Sequence, residues 1–297
     1  MTTAEPKTID WGPLQHPLHD TVPEGDGKGA WKDNAYVSFW EPAQNAFGTL
    51  HVSTSPNAEG RRARVSMSVD GTVVEVVEEL PPASFTGETI EFDLSGRIAV
   101  DHPELQLDAA LTPRLQVADY TPGQVIPPMG GAPVHHYQVT VDLAGTCAVR
   151  GKTLDLNATG IRDRTWGYRD ESVNITEYVW FFATFPDWSL TAMRFFAQDV
   201  PERTDGFLIT EEGTHPIRAI GVVRDASGLC AEARFTLDDG EELALRSQGR
   251  RGGFWIPMSW ERHGPAMSAY DEFAPFRSAH GQEGFGVAEH GNVRQLY

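Results

Sequence analysis

Apolar and polar residues alternate in short runs through most of the chain, and turn residues separate the runs. Val65, Met67 and Val69 interleave with serines up to Asp70-Gly71, and an extended run resumes from Val73 to Val77. An Asp-Gly pair between two such runs is a strong local sign of a β-hairpin, because both positions tolerate positive φ. The same pattern predicts a strand carrying Tyr137, Val139, Val141 and Leu143, a turn at Gly145 before Cys147 and Val149, and a further strand with Leu154 and Leu156 after Gly151. Another hairpin is predicted where Phe235 and Leu237 lead into Asp238-Asp239-Gly240 and Leu243 and Leu245 follow. No dozen residues keep a 3.6-residue period without an interrupting Gly or Pro, so helix should be minor. The expected fold class is all-β, built of consecutive antiparallel strands.

The pattern also recurs on a larger scale. NAYVSFWEPAQNAFGTLHV (34–52) parallels TEYVWFFATFPDWSLTAMRF (176–195), with Tyr36-Val37 lying 142 positions before Tyr178-Val179. Gly71-Thr72 precedes Gly213-Thr214 by the same interval, and LNATGIRDRTWG (156–167) has a weaker echo in QEGFGVAEHG (282–291). Ordered matches of this kind indicate duplication of a sheet-rich unit. They predict an N-terminal arm over 1–30 and two tandem β-barrels or sandwiches over 31–168 and 169–297. Barrels of this size can enclose one small ligand. The Pro-rich stretch 120–133 cannot serve as an internal strand and is expected to be a loop or lid.

Bulk properties narrow the function. The 297 residues carry a formal net charge of −18, with acidic residues spread along the chain, which disfavours nucleic acid as a partner. The one dense basic run, Arg61, Arg62 and Arg64, reads as a solvated strand edge rather than an anion site. Cys147 and Cys230 lie in alternating apolar runs, as buried free thiols do, and fit a reducing compartment. No membrane span and no signal pattern are apparent, so a cytoplasmic location is expected. Exposed sheet edges leave a homodimer open, and no residue pattern specifies one.

The densest polar segment is GIRDRTWGYRD (160–170), with three arginines, two aspartates and two large aromatics in eleven residues. Buried, such groups must pair. One reading is a clasp between the halves, in which Asp163 is neutralised by Arg162, Arg164 or Arg169 and Trp166 packs as core. The other is that Asp163 points into a cavity, where desolvation raises its pKa and makes it a general acid. Elsewhere, His135 and His136 alternate across a strand and cannot share one metal there, and no HxH or HExxH exists. There is also no GxSxG elbow, phosphate loop or dinucleotide fingerprint. No metal and no cofactor are expected.

GIRDRTWG resembles the Gly-x-x-(His/Arg)-Asp-(His/Arg)-(Ser/Asn)-Trp-Gly signature of the carotenoid 1,2-hydratase (hydroxyneurosporene synthase) and AttH-like superfamily of tandem lipocalin-like proteins. WKDNAYVSFWEP (31–42), His136-Tyr137-Gln138 and the closing GFGVAEHG agree in order. The resemblance implies two lipocalin-like barrels with a hydrophobic ligand site near their junction. It further implies cofactor-free hydration, dehydration, cyclisation or isomerisation of a terpenoid, steroid-like or aromatic compound. Asp163, Arg164 and Trp166 then become candidate catalytic residues, with Arg164 and Thr165 departing from the commoner His and Ser/Asn. Arg162, Tyr168, Arg169, Trp40, Tyr178, Trp180 and His136 are candidate substrate contacts. A non-catalytic carrier of the same ligand class is the alternative, and a purely structural or assembly role for the clasp is a third reading.

Overall fold

The computed structural model describes residues 9–126, 132–169, 175–197, 201–257 and 265–295. The first sheet is built from β1 (Trp31–Glu41), β2 (Ala46–Thr54), β3 (Arg62–Val69), β4 (Thr72–Glu79), β5 (Ile90–Phe92), β6 (Arg97–His102), β7 (Leu105–Pro113), β8 (Ala118–Asp119), β9 (His135–Val149) and β10 (Lys152–Tyr168). The second holds β11 (Ile175–Thr184), β12 (Ser189–Ala197), β13 (Arg203–Ile209), β14 (Thr214–Arg224), β15 (Cys230–Leu237), β16 (Glu242–Ser247), β17 (Gly252–Pro257), β18 (Pro265–Ser278) and β19 (Glu283–Gln295). Every ladder is antiparallel. The only helical elements among the described residues are two short 3-10 turns, Gly12–Gln15 and Pro42–Gln44, far too short to cross a membrane.

The strand order is β4-β3-β2-β1-β10-β9-β7-β6-β5 in one sheet and β16-β15-β14-β13-β12-β11-β19-β18-β17 in the other. In each, the first strand in sequence pairs with the last, and in the second sheet an additional β16–β18 pairing curls the far end of the order back on itself. The all-β, two-barrel expectation is met. The 142-residue interval is structural as well, since Gly71-Thr72 and Gly213-Thr214 sit at the turns entering β4 and β14. Between the edge strands β4 and β5 the Glu78 carboxylate accepts from the backbone N–H groups of Thr89 (3.0 Å) and Ile90 (2.8 Å) and from the Thr89 hydroxyl (2.9 Å). A side chain thus joins edges that no ladder joins.

Turn chemistry explains the hairpins. Asp70 (φ 51°) and Gly71 (φ 77°) are both left-handed, as are Arg150 (φ 47°) and Gly151 (φ 83°), which is the two-residue geometry that matches strand twist. Gly145 is not a turn, contrary to the expectation from sequence. It lies inside the continuous strand β9, where a Cβ would stand 2.1 Å from the Asp108 carbonyl of β7. Its missing side chain permits close approach of the adjacent strand.

Alternation divides the buried residues into three apolar layers. Val37, Phe39, Leu50, Val139 and Val141 fill the first barrel, and Phe181, Ala183, Phe235 and Phe276 fill the second. The opposite faces of the same strands meet between the barrels, where Trp40 contacts Phe182 and Phe285 at ring distances of 5.9 and 5.7 Å and Phe47 stacks on Phe273 at 4.7 Å. Large aromatic side chains bury the most apolar area per residue, so this layer fixes how the barrels face each other. Cys147 and Cys230 are buried free thiols, as expected.

Candidate active site

The sheet register places the candidate chemistry on the outer face of the first barrel. Across five strands Gln138, Asp163, Tyr36, His51 and Arg64 stand in one cross-strand row, and His136, Thr165, Asn34, Ser53 and Arg62 in the next. Facing them, Met193, Trp180, Glu289, Asp271 and Phe254 form a row on the second sheet. Side chains along a row are about 5 Å apart, so each row acts as a built surface rather than a chance encounter. Between the two faces lies a cavity of about 740 Å³, with Tyr36, His136, Gln138, Asp163, Trp180 and Glu289 in its lining.

Asp163 is held by three neighbours. Its Oδ2 meets His136 Nε2 in a short contact and accepts from Gln138 Nε2 at 2.9 Å, and its Oδ1 accepts from Thr165 Oγ1 at 2.9 Å. The Gln138 amide has only one consistent orientation: its Oε1 accepts from Thr191 Oγ1 at 2.5 Å, and Thr191 in turn accepts from Tyr120 Oη (2.9 Å) and Trp180 Nε1 (3.2 Å). Burial alone would push Asp163 upward. The His136 charge and the three hydrogen bonds outweigh it and hold the carboxyl below its ordinary range. Asp163 is therefore an anion, which corrects the expectation that desolvation makes it an acid.

The opposite wall behaves in the opposite way. Asp271 and Glu289 are directly paired across β18 and β19, and two carboxylates so placed cannot both ionise. Burial, reinforced by the neighbouring Asp271 and by Asp163, raises Glu289 well above its usual value, and burial pushes Asp271 up to about 6. Tyr36 Oη donates to Asp271 Oδ2 at 2.8 Å, and Tyr178 Oη makes a short hydrogen bond to Glu289 Oε1. Asp271 Oδ1 is buried without a donor unless Glu289 carries a proton. Of the two carboxyl groups, Glu289 lines the cavity.

A domain family of unknown function, DUF7064, has a family model that matches residues 16–294. The chain belongs to this family. Solved structures share the fold of the DUF7064 chain. A protein provisionally designated AttH (NE1406) from Nitrosomonas europaea matches at TM-score 0.66 and 15% identity over 97% of this chain and 98% of that one. CghA bound to Sch210972 matches at 0.66 and 12% over 90% of each chain, and kievitone hydratase from Nectria haematococca at 0.60 and 14% over 96% of each. At these identities the likeness is one of fold, and it bears out the AttH-like architecture read from the sequence. No curated protein sequence matches the chain.

The DUF7064 cavity gathers half of the residues singled out in the sequence. Asp163, His136, Arg169, Tyr178 and Trp180 line it, whereas Arg162, Arg164, Trp166, Tyr168 and Trp40 do not. Alternation along β10 is the reason. Arg162 and Arg164 point into the first barrel, where Arg162 donates to the carbonyls of Leu14 (3.0 Å) and Leu94 (2.9 Å) and Arg164 pairs with fully buried Asp33 at 2.6 Å. Neither neutralises Asp163, as the clasp reading had it. Trp166 stacks between His16 (4.5 Å) and His135 (5.0 Å), Tyr168 packs edge-on against Trp31 at 5.2 Å, and Trp40 belongs to the layer between the sheets. These contacts fasten the N-terminal arm over one end of the first barrel.

One further reading needs correction. Arg61 and Arg62 were expected on a solvated strand edge, yet β3 lies between β2 and β4, and both residues line the cavity. Of the Pro-rich stretch, residues 127–131 lie outside the described residues, while Ile126 reaches the cavity wall. Sequence reasoning missed Glu289, Asp271, Tyr36 and Gln138. Glu289 lies in the segment 282–291 that echoes 156–167, but it stands opposite Trp180 whereas Gly291 stands opposite Tyr178, the counterpart of Asp163 opposite Tyr36, so the echo did not mark it.

Proposed function

We propose that this chain is a cofactor-independent lyase or isomerase acting on a hydrophobic small molecule held between the two sheets. Glu289 serves as proton donor, and the Asp163 anion, with His136 beside it, stabilises positive charge that develops on the substrate. The observation that carries the reading is the divergence of the two carboxyl environments, one held as an anion and the other kept neutral, on walls of the same cavity. In the hydration sense, Glu289 delivers a proton to one alkene carbon and water adds to the other, its proton returning to the Asp271–Glu289 pair; dehydration is the reverse. If a carbon-bound proton is removed instead of water being added, the same pair isomerises a double bond. Trp180, edge-on to Tyr36 at 5.7 Å, supplies an aromatic face for positive charge developing on carbon. The name of one structural relative, kievitone hydratase, and the Sch210972 held by another support this class.

The test is incubation of the purified protein with terpenoid alkenes and alcohols in deuterated water. The expected result is solvent-derived label in product, with Asp163→Asn and Glu289→Gln each lowering turnover by a factor of about 10²–10⁴. Absence of label from every compound, or full turnover in both variants, would overturn the enzymatic reading. Ligand stabilisation without turnover would favour a carrier.

A further inference from the structure

We infer that Gly291 is a positioning residue for the proposed proton donor: its missing side chain leaves the space in which the Tyr178 ring lies, and through the Tyr178 hydroxyl it fixes which oxygen of Glu289 carries the proton. This rests on the reading of Glu289 as the donor and adds to it the two residues that set how the acid is held.

Gly291 stands on β19 directly opposite Tyr178 of β11 and Ala269 of β18. Its φ lies outside the left-handed region, so the backbone does not demand glycine there. The demand is one of space. A Cβ at this position would stand 1.9, 2.3 and 2.5 Å from Tyr178 Cε1, Cδ1 and Cζ, well inside van der Waals contact, so a side chain there displaces the ring. On its other side the ring is stacked on Phe195 at 5.2 Å. Tyr36, 142 positions earlier in the repeat, stands opposite Asp163 instead of a glycine, and its hydroxyl crosses to Asp271 on the other sheet. The two tyrosines of the duplication thus reach the two ends of one carboxyl pair.

The hydrogen bonds then assign the oxygens. Tyr178 Oη donates to Glu289 Oε1, and burial, reinforced by Glu289 and Asp271, raises the Tyr178 hydroxyl well above its usual value, so it stays a donor. With Oε1 accepting, Oε2 is left to carry the proton. Asp271 Oδ2 is already taken by Tyr36 at 2.8 Å, and its buried Oδ1 needs a donor, which a proton on Glu289 Oε2 supplies. The remaining groups that act on this pair are Asp163 of β10, itself paired with His136 of β9, and Arg169, which acts on Tyr178. The Asp163 charge favours neutral Glu289, whereas the Tyr178 bond favours its ionised form. Loss of the Tyr178 bond therefore moves proton release from Glu289 to higher pH.

Infrared spectroscopy of Glu-labelled protein reads the carbonyl stretch of the protonated acid, whose frequency falls when that oxygen accepts a hydrogen bond. Tyr178→Phe should shift the Glu289 acid band to higher frequency and keep it to higher pH before it is lost. Gly291→Ala should reproduce both shifts with the hydroxyl still present, and the two substitutions together should add no further shift. Should Gly291→Ala alone not fold, combining it with Tyr178→Ala, which empties the contested space, should fold as well as Tyr178→Ala by itself; failure to do so would overturn the inference. A wild-type acid band that Tyr178→Phe or folded Gly291→Ala leaves unmoved would also overturn it and leave the donor reading standing. Absence of a Glu289 acid band from the wild type would overturn both.

Discussion

The Tyr36 hydroxyl, carried by the first sheet, donates to the Asp271 carboxylate of the second at 2.8 Å. Tyr36 also stands in register beside Asp163, so one residue adjoins both carboxyl systems. Replacing it with Phe removes a buried hydrogen bond to an acidic group, which costs about 1–3 kcal/mol. The denaturation midpoint of Tyr36→Phe should fall accordingly. Because the Tyr36 bond favours ionised Asp271, its loss should also move the proton release of the Asp271–Glu289 pair to higher pH.

Stability should depend on pH in two opposed ways. Asp271 and Glu289 bind protons more tightly folded than unfolded, so their contribution is complete near pH 4 and lost as pH rises through about 6 and above. Asp163 is depressed on folding; its contribution is complete above its unfolded value and lost as pH falls through its lower folded value. Denaturation followed across pH should thus show a maximum at mildly acidic pH. Glu289→Gln should flatten the alkaline limb and Asp163→Asn the acid limb.

Arg164 and Asp33 form an ion pair with both side chains fully buried, on the face of β10 turned away from the cavity. Removing one partner strands the other charge, at a cost of about 3–5 kcal/mol. Arg164→Met should therefore lose stability by that amount in denaturant titration. Ligand affinity measured well below its midpoint should stay near that of the wild type, an outcome that a catalytic or ligand-binding arginine would not give.

Trp40 packs against Phe182, Phe273 and Phe285 in the layer between the sheets. Trp40→Ala should cost about 3–5 kcal/mol by cavity formation. Because that layer sets the spacing of the two walls, weakened ligand binding should accompany the lowered unfolding midpoint.

Much of this architecture was legible in the sequence. Asp70-Gly71 and Asp238-Asp239-Gly240 marked hairpins that exist, and the 142-residue interval marked equivalent strands, because turn chemistry and alternation are local properties. Gly145 misled because a glycine that admits a neighbouring strand looks, in sequence, like one that turns the chain. The candidate site was half legible. Asp163 and Arg164 are adjacent in sequence yet on opposite faces of β10, and density of charge in the segment suggested pairing where strand alternation forbids it. Asp271 and Glu289 carry no local mark as a pair; what unites them is the register of β18 against β19, a long-range property.

The central claim is that Glu289 holds a proton at neutral pH while Asp163, across the same cavity, does not. Isotope-edited infrared spectroscopy of Glu- and Asp-labelled protein reads this directly. The prediction is a protonated carboxylic acid band at pH 7 that vanishes in Glu289→Gln and persists in Asp163→Asn. A spectrum with only carboxylate bands at pH 7, or an acid band abolished by Asp163→Asn instead, would contradict the account.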